Sequence, residues 1–148
     1  MEREQALEFH VLLFTFMGKF YEKFFVNYRQ HLDSAIPLKK NQTKIISILY
    51  HRDGLTSTEL ARMLNIEKGG LTTIINQLEQ LGLVMRTPDP HDRRKQKLSL
   101  SQQGREVMEQ VMERYTDSIK QQFEQVDQQE LNTFMHSLRN VVNFMDGN

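Results

Sequence analysis

Leu55–Ser101 reads LTSTELARMLNIEKGGLTTIINQLEQLGLVMRTPDPHDRRKQKLSLS, and the order of signals within it decides the fold. Thr56-x-x-Glu59 has the spacing of a capping box, in which the Thr hydroxyl accepts from an early helical amide and the Glu carboxylate reaches back. The helix it opens carries Leu60, Ala61 and Leu64. Asn65-Ile66-Glu67 reads as a turn. Lys68–Leu81 then sets Leu71, Ile74, Ile75 and Leu78 on one face, the 3.6-residue period of a docked helix, and Gly82 stops it. Leu83–Arg86 is short and extended. Thr87-Pro88-Asp89-Pro90 is barred from helix, because each proline lacks a donor and biases its predecessor away from helical backbone. Lys97–Leu100 alternates with period two, as a half-exposed strand does. This order predicts a helix-turn-helix at 56–81 followed by a β-hairpin wing at 83–101.

The flanks extend the pattern. Lys40 to His51 reads as a helix with Ile45, Ile46, Ile48 and Leu49 inward, ended at Arg52-Asp53-Gly54. Upstream of a break at Ala35-Ile36-Pro37, Glu2 to about His31 reads as one long helix without proline and with a single glycine. It carries two aromatic stripes, Phe9/Leu13/Phe16/Phe20/Phe24 and Phe14/Met17/Tyr21/Phe25/Tyr28. A helix apolar around so much of its circumference needs burial on more than one side, which a second subunit supplies naturally. Downstream, a helix from Ser101 to about Gln125 and another capped by Asp127 complete the chain. The expected fold is mainly α with a small β-hairpin wing (α+β): a single domain over 1–148, with the winged helix-turn-helix at about 38–101.

Composition removes several classes of function. Cysteine is absent, so disulfides, thiolate metal sites and thiol redox sensing are out. The N-terminus lacks the basic and apolar regions of a signal peptide. The longest apolar candidate, Val11–Tyr28, is broken by Lys19, Glu22, Lys23 and Asn27 and is too polar to span a membrane; a cytoplasmic location is expected. No catalytic triad, phosphate loop or metal-hydrolase motif is present, so neither enzyme activity nor a cofactor is implied. The five histidines show no paired helical spacing, and no metal site is expected.

Formal net charge is zero, but its distribution is uneven. Residues 85–97 hold five cations (Arg86, Arg93, Arg94, Lys95, Lys97) against two anions, whereas 102–148 hold four against eight. A basic patch beside an acidic region is the electrostatic footprint to expect of a nucleic-acid binder that is neutral overall.

Two short helices joined by a tight turn are the geometry that presents a helix to the DNA major groove. On Lys68–Leu81 the outward residues are Lys68, Gly69, Gly70, Thr72, Thr73, Asn76, Gln77 and Gln80. Threonine suits phosphate or a thymine methyl, and Asn or Gln can pair bidentately with adenine. Lys68 sits where helix N-terminal amides also favour phosphate. At the wing tip, Arg93 and Arg94 can reach the minor groove, with Arg86 and Lys95 adding to the basic surface. Asp92 is expected to hold one of the arginines in a fork-type pair.

These residues resemble the MarR family of bacterial regulators over nearly the whole chain. The similarity is densest in Leu55–Leu64 (LTSTELARML), Leu78–Arg86 (LEQLGLVMR), Asp89–Lys95 (DPHDRRK) and Leu98–Arg105 (LSLSQQGR). The resemblance implies a homodimer whose N- and C-terminal helices, here 1–36 and 102–148, form the dimer body. It also implies repression of transcription through double-stranded DNA, with release when a small, often aromatic, anion binds between dimer body and DNA-binding lobe. By analogy such a pocket would be lined by Phe14, Met17, Tyr21 and Tyr50. Asp92, Arg93 and Arg94 match the family's wing motif. The recognition helix departs from the family pattern: Gly69-Gly70 stands where Ser-Thr is common, and Thr73 and Gln77 where basic residues are common. Two readings of the glycine pair stay open, a loosened first turn with the helix beginning at Leu71 or a close backbone approach to phosphate. The alternative to a DNA-binding regulator is a winged-helix protein-interaction module, favoured by the neutral net charge and the arginine-free recognition helix.

Overall fold

The computed structural model describes residues 1–147, and the chain divides into two compact units, the first Met1–Tyr115 and the second beginning at Thr116. In the first unit the helix predicted at Lys40–His51 forms with those bounds (α3, after α1 and α2 described below) and buries Ile45, Ile46 and Leu49. Gly54, at φ +73°, turns the chain out of it. Leu55–Thr56 (β1) then forms a two-residue strand that the sequence reading missed; it pairs antiparallel with Gln96–Leu100 (β3), Leu55 opposite Leu98. A strand this short carries no alternation by which to be recognised.

Ser57–Leu64 (α4) starts on the expected capping box. The Thr56 amide donates to Glu59 Oε2 at 2.7 Å, and the Glu59 amide donates to Thr56 Oγ1 at 3.3 Å. Asn65, at φ +50°, closes the helix in the left-handed region that Asn tolerates. Lys68–Gln80 (α5) follows, with Leu71, Ile75 and Leu78 buried at helical spacing. It begins at Lys68, not Leu71, so both glycines are helical. A Cβ at Gly69 would meet nothing within 4 Å, and one at Gly70 only Ile66 at an ordinary 3.6 Å. Packing within this chain therefore does not require either glycine, although each costs about 1 kcal/mol relative to Ala in a helix.

Val84–Pro88 (β2) pairs antiparallel with β3, Val84 opposite Leu100 and Pro88 opposite Gln96, giving the sheet order β1-β3-β2. Gln102–Gln122 (α6) starts at a close approach. Ser101 Oγ accepts from the Gly104 amide at 2.9 Å and also donates to the Gly82 carbonyl. A Cβ on Gly104 would sit 2.1 Å from the Leu83 carbonyl oxygen, so only glycine fits there. Leu32, Ile45, Ile46, Leu49, Leu60, Leu71, Ile75, Leu78, Leu83, Leu98, Met108 and Val111 are fully buried together and form one core.

Upstream, Arg3–Phe20 (α1) continues through a π-helical turn at Tyr21–Phe25 into Val26–Ala35 (α2). The helix thus ends four residues beyond the expected His31. The π turn, marked by Val26 N–H donating to the Tyr21 carbonyl, was not foreseen, because one extra residue in a turn leaves no mark on an already aromatic sequence. Neither α1 nor the π turn has a buried residue. In the second unit, Gln128–Asp146 (α7) is capped as expected by Asp127, which accepts from the Gln129 and Glu130 amides. It too has no buried residue.

Candidate nucleic-acid interface

The exposed face of α5 presents Lys68, Gly69, Gly70, Thr72, Thr73, Asn76 and Gln80. Thr72 donates its hydroxyl to the Lys68 carbonyl at 2.9 Å and Thr73 donates to the Gly69 carbonyl at 3.3 Å. Their donors are thus spent along the helix, and what they offer outward is methyl groups and acceptor lone pairs. Gln77 departs from the expected outward set. It is half-buried, and its Oε1 accepts from Gln42 Nε2 of α3 at 3.0 Å. Helical period places it near the boundary of the face; Gln42 on the packed α3 decides the side.

Arg86, expected on the DNA-facing surface, is turned back onto the recognition helix. From β2 it donates to Asn76 Oδ1 at 2.7 Å and forms an ion pair with Glu79, about 30% of each side chain remaining exposed (31% and 28%). The pair is partly shielded from solvent, and the rigid guanidinium fork serves two acceptors at once.

The wing tip is organised by two carboxylates. Asp89 Oδ1 accepts from the His91 amide at 2.7 Å and the Asp92 amide at 3.3 Å, and its other oxygen lies 3.5 Å from Lys97 Nζ. These contacts, the His91 amide foremost, hold the Asp89 carboxyl below the usual carboxylate range. Asp92 does not form the expected fork with an arginine side chain. Its Oδ1 accepts from the Arg94 backbone amide at 3.1 Å, closing the turn together with Lys95 N–H to the Asp92 carbonyl. Two residues of separation favour such an Asx turn over a reach along a long side chain. The Arg93 and Arg94 guanidinium groups remain exposed, with no ion pair among the described residues.

A cleft of about 530 Å³ joins these parts: Lys68 of α5, Arg94 and Lys95 of the wing, and Ser57, Thr58 and Arg62 of α4 border it. The sequence reading had not singled out the three α4 residues. The exposed positions of the first helix of a helix-turn-helix are the signal that would have found them. Glu59 also borders the cleft, but it is held to Thr56, whose backbone and side-chain hydrogen bonds lower its pKa.

A second cavity, of about 350 Å³, lies between the α1–α2 helix and α3. Met17 and Tyr21, two of the four residues named for a ligand pocket, line it with Phe16, Phe20 and Phe25 and three cations, Arg29, Lys40 and Lys44. Phe14 and Tyr50 fall outside: Phe14 lies against His10, and Tyr50 packs on the core beside His51. Thr43 also borders the cavity; it is 4% exposed, and its buried Oγ1 has no hydrogen-bond partner among the described residues. No cluster of three or more potential metal ligands occurs among the described residues, and no helix among them is long and apolar enough to cross a membrane.

The MarR family model matches residues 38–95. The chain is 28% identical over 115 residues to the HTH-type transcriptional regulator YwhA of Bacillus subtilis, covering 76% of this chain and 83% of that one. It is 30% identical over 109 residues to the HTH-type transcriptional repressor YetL of the same organism, covering 64% of each. Among solved structures, the transcriptional regulator Tm0710 of Thermotoga maritima superposes with a TM-score of 0.68 at 27% identity, over 97% of this chain and 96% of that one. A MarR family protein of Bacillus stearothermophilus gives 0.74 at 21%, over 99% of both chains. A mutant of S. aureus MepR bound to an oligodeoxyribonucleotide gives 0.58 at 19%, over 93% of this chain and 97% of that one. Sequence match, relatives and fold agree: residues 38–95 match the MarR family model, and the chain has the winged helix-turn-helix fold of MarR family structures.

Proposed function

We propose that this regulator acts in the cytoplasm as a homodimeric, ligand-responsive repressor on a pseudo-palindromic DNA operator. The observation that carries DNA binding is the cleft in which Lys68, Arg62, Arg94 and Lys95 converge beside the exposed polar face of α5. Converging cations and backbone donors at one edge of a groove-sized helix suit a phosphate strand. In this reading two copies of α5 lie in successive major grooves about one helical turn apart, and Arg93 and Arg94 enter the flanking minor grooves.

The exposed apolar faces of α1 and α7 support a dimer built from residues 1–36 and 102–148 around winged helices at 38–101. Leu7, Leu12 and Phe14 on α1, and Val142 and Phe144 on α7, are each more than half exposed, and large exposed apolar side chains gathered on a helix favour an interface. The 350 Å³ cavity supports an effector site for a small aromatic anion: aromatic walls for a ring, Arg29, Lys40 and Lys44 for its charge, and the Thr43 hydroxyl for a hydrogen bond.

Binding to duplexes selected from a random pool, followed across a salt series, tests the reading. Arg93→Ala and Arg94→Ala should each reduce the slope of log affinity against log salt by about one. An unchanged slope in both variants rules out the wing contact. A chain that enriches no duplex leaves the protein-interaction module, for which an α5 face with Lys68 as its one cation already speaks.

A further inference from the structure

Asn76 is an exposed amide at the middle of the recognition helix, and Arg86 has already engaged it. A guanidinium carries donors and no acceptor, so the amide atom it meets at 2.7 Å must be the oxygen. Glu79 holds the same guanidinium on its other side, in a pair that is only partly exposed. Asn76 is therefore oriented with Oδ1 toward Arg86, which takes one lone pair of that oxygen and crowds the other, and Nδ2 keeps two donors to offer.

That state changes what the side chain can read. An Asn that selects adenine accepts from the N6 amino group through Oδ1 while donating to N7 through Nδ2. Here Oδ1 already holds a cationic donor, and the adenine amino group would arrive beside a guanidinium in competition for the same oxygen. Guanine presents N7 and O6, two acceptors and no donor at that edge, which complements an amide reduced to its donors. Resting on the DNA-binding reading above, we propose that Arg86 is a specificity-determining positioning residue: it makes Asn76 a donor-only reader that selects guanine over adenine at the base pair it faces.

The experiment is selection from a random duplex pool at one stated salt concentration. It uses the full chain as wild type, Arg86→Met, Arg86→Lys, Asn76→Ala and the Arg86→Met/Asn76→Ala pair. Asn76→Ala should flatten one position in each half-site and so identify the pair that is read. At that position the wild type should enrich guanine. Arg86→Met should shift the guanine-to-adenine ratio towards adenine by about tenfold, the scale of one bidentate base contact. In the Asn76→Ala background Arg86→Met should produce no shift, whereas a merely loosened wing would alter both backgrounds alike. Should Arg86→Met fail to fold, Arg86→Lys carries the test. Lysine keeps a cation opposite Glu79 but cannot fork to two acceptors, so a shift towards adenine is again expected. A wild-type preference for adenine at that position, or a ratio indifferent to both Arg86 variants, overturns the inference while DNA binding stands. Failure of the wild type to enrich any sequence overturns both.

Discussion

The winged helix and the terminal helices solve the problem of apolar surface in opposite ways. Around α3, α5 and the sheet, each inward position finds a partner within the chain, and twelve side chains are fully buried. In α1 and α7 not one residue is buried, although Leu7 is 65% exposed, Phe14 61% and Phe144 66%. Both regions are helical and rich in large apolar side chains, so composition does not separate them. What separates them is where the complementary surface lies: the lobe finds it within residues 32–111, whereas α1 and α7 bury no residue and, in the proposed dimer, are covered by the partner subunit.

Breaking the lobe should have the largest effect. Leu98→Ala removes a fully buried side chain from the middle strand and should cost about 2–5 kcal/mol in denaturant unfolding. Breaking the arms should act on assembly instead. Leu12→Glu and Val142→Glu place charge on surfaces that are 61% and 51% exposed. Each should raise the dimer dissociation constant roughly 30-fold or more, as loss of about 2 kcal/mol does. Sedimentation equilibrium measures that constant; a lobe that melts together with the dimer would erase the contrast between the two regions.

Smaller effects sharpen the contrast within the lobe. Gly69→Ala fills open space in α5 and should stabilise the fold by about 1 kcal/mol. Affinity measured beside stability separates the two readings of the glycine pair: it falls if phosphate approaches the bare backbone and holds or rises if the glycines merely loosen the turn. The smallest effect is expected at the wing tip. Asp89 has a depressed pKa because its ionised form accepts from the His91 amide and, secondarily, faces Lys97. A carboxylate depressed on folding contributes stability above its unfolded pKa and loses it as pH falls through the lower folded value. The protection factor of the His91 amide, its exchange rate relative to the intrinsic rate at the same pH, should therefore fall on acidification below about pH 4, the ordinary carboxylate value, and Asp89→Asn should remove that dependence.

The elements themselves were readable because their causes are local. Thr56 and Glu59 stand three residues apart, Gly54 and Gly82 occupy positive φ, and Leu71, Ile75 and Leu78 repeat at the helical period. Each signal is complete within one or two turns of chain. The bounds of α3, the start of α4 at its capping box and the hairpin at 84–100 follow from such signals. The winged helix that Leu55–Ser101 implied is therefore a property of the sequence alone.

The state of the site was decided by tertiary structure. Gln77 turns to Gln42 across 35 residues of chain, Arg86 closes on Asn76 across ten, and the 350 Å³ cavity brings Met17 and Tyr21 together with Arg29, Lys40, Thr43 and Lys44 and leaves Phe14 and Tyr50 outside. Periodicity states which face a residue occupies, but a long polar side chain near the edge of that face goes to whichever partner the neighbouring element brings within reach. The crossing of α3 over α5 and the path of β2 beside α5 determine those partners, and neither is written in any local run of residues.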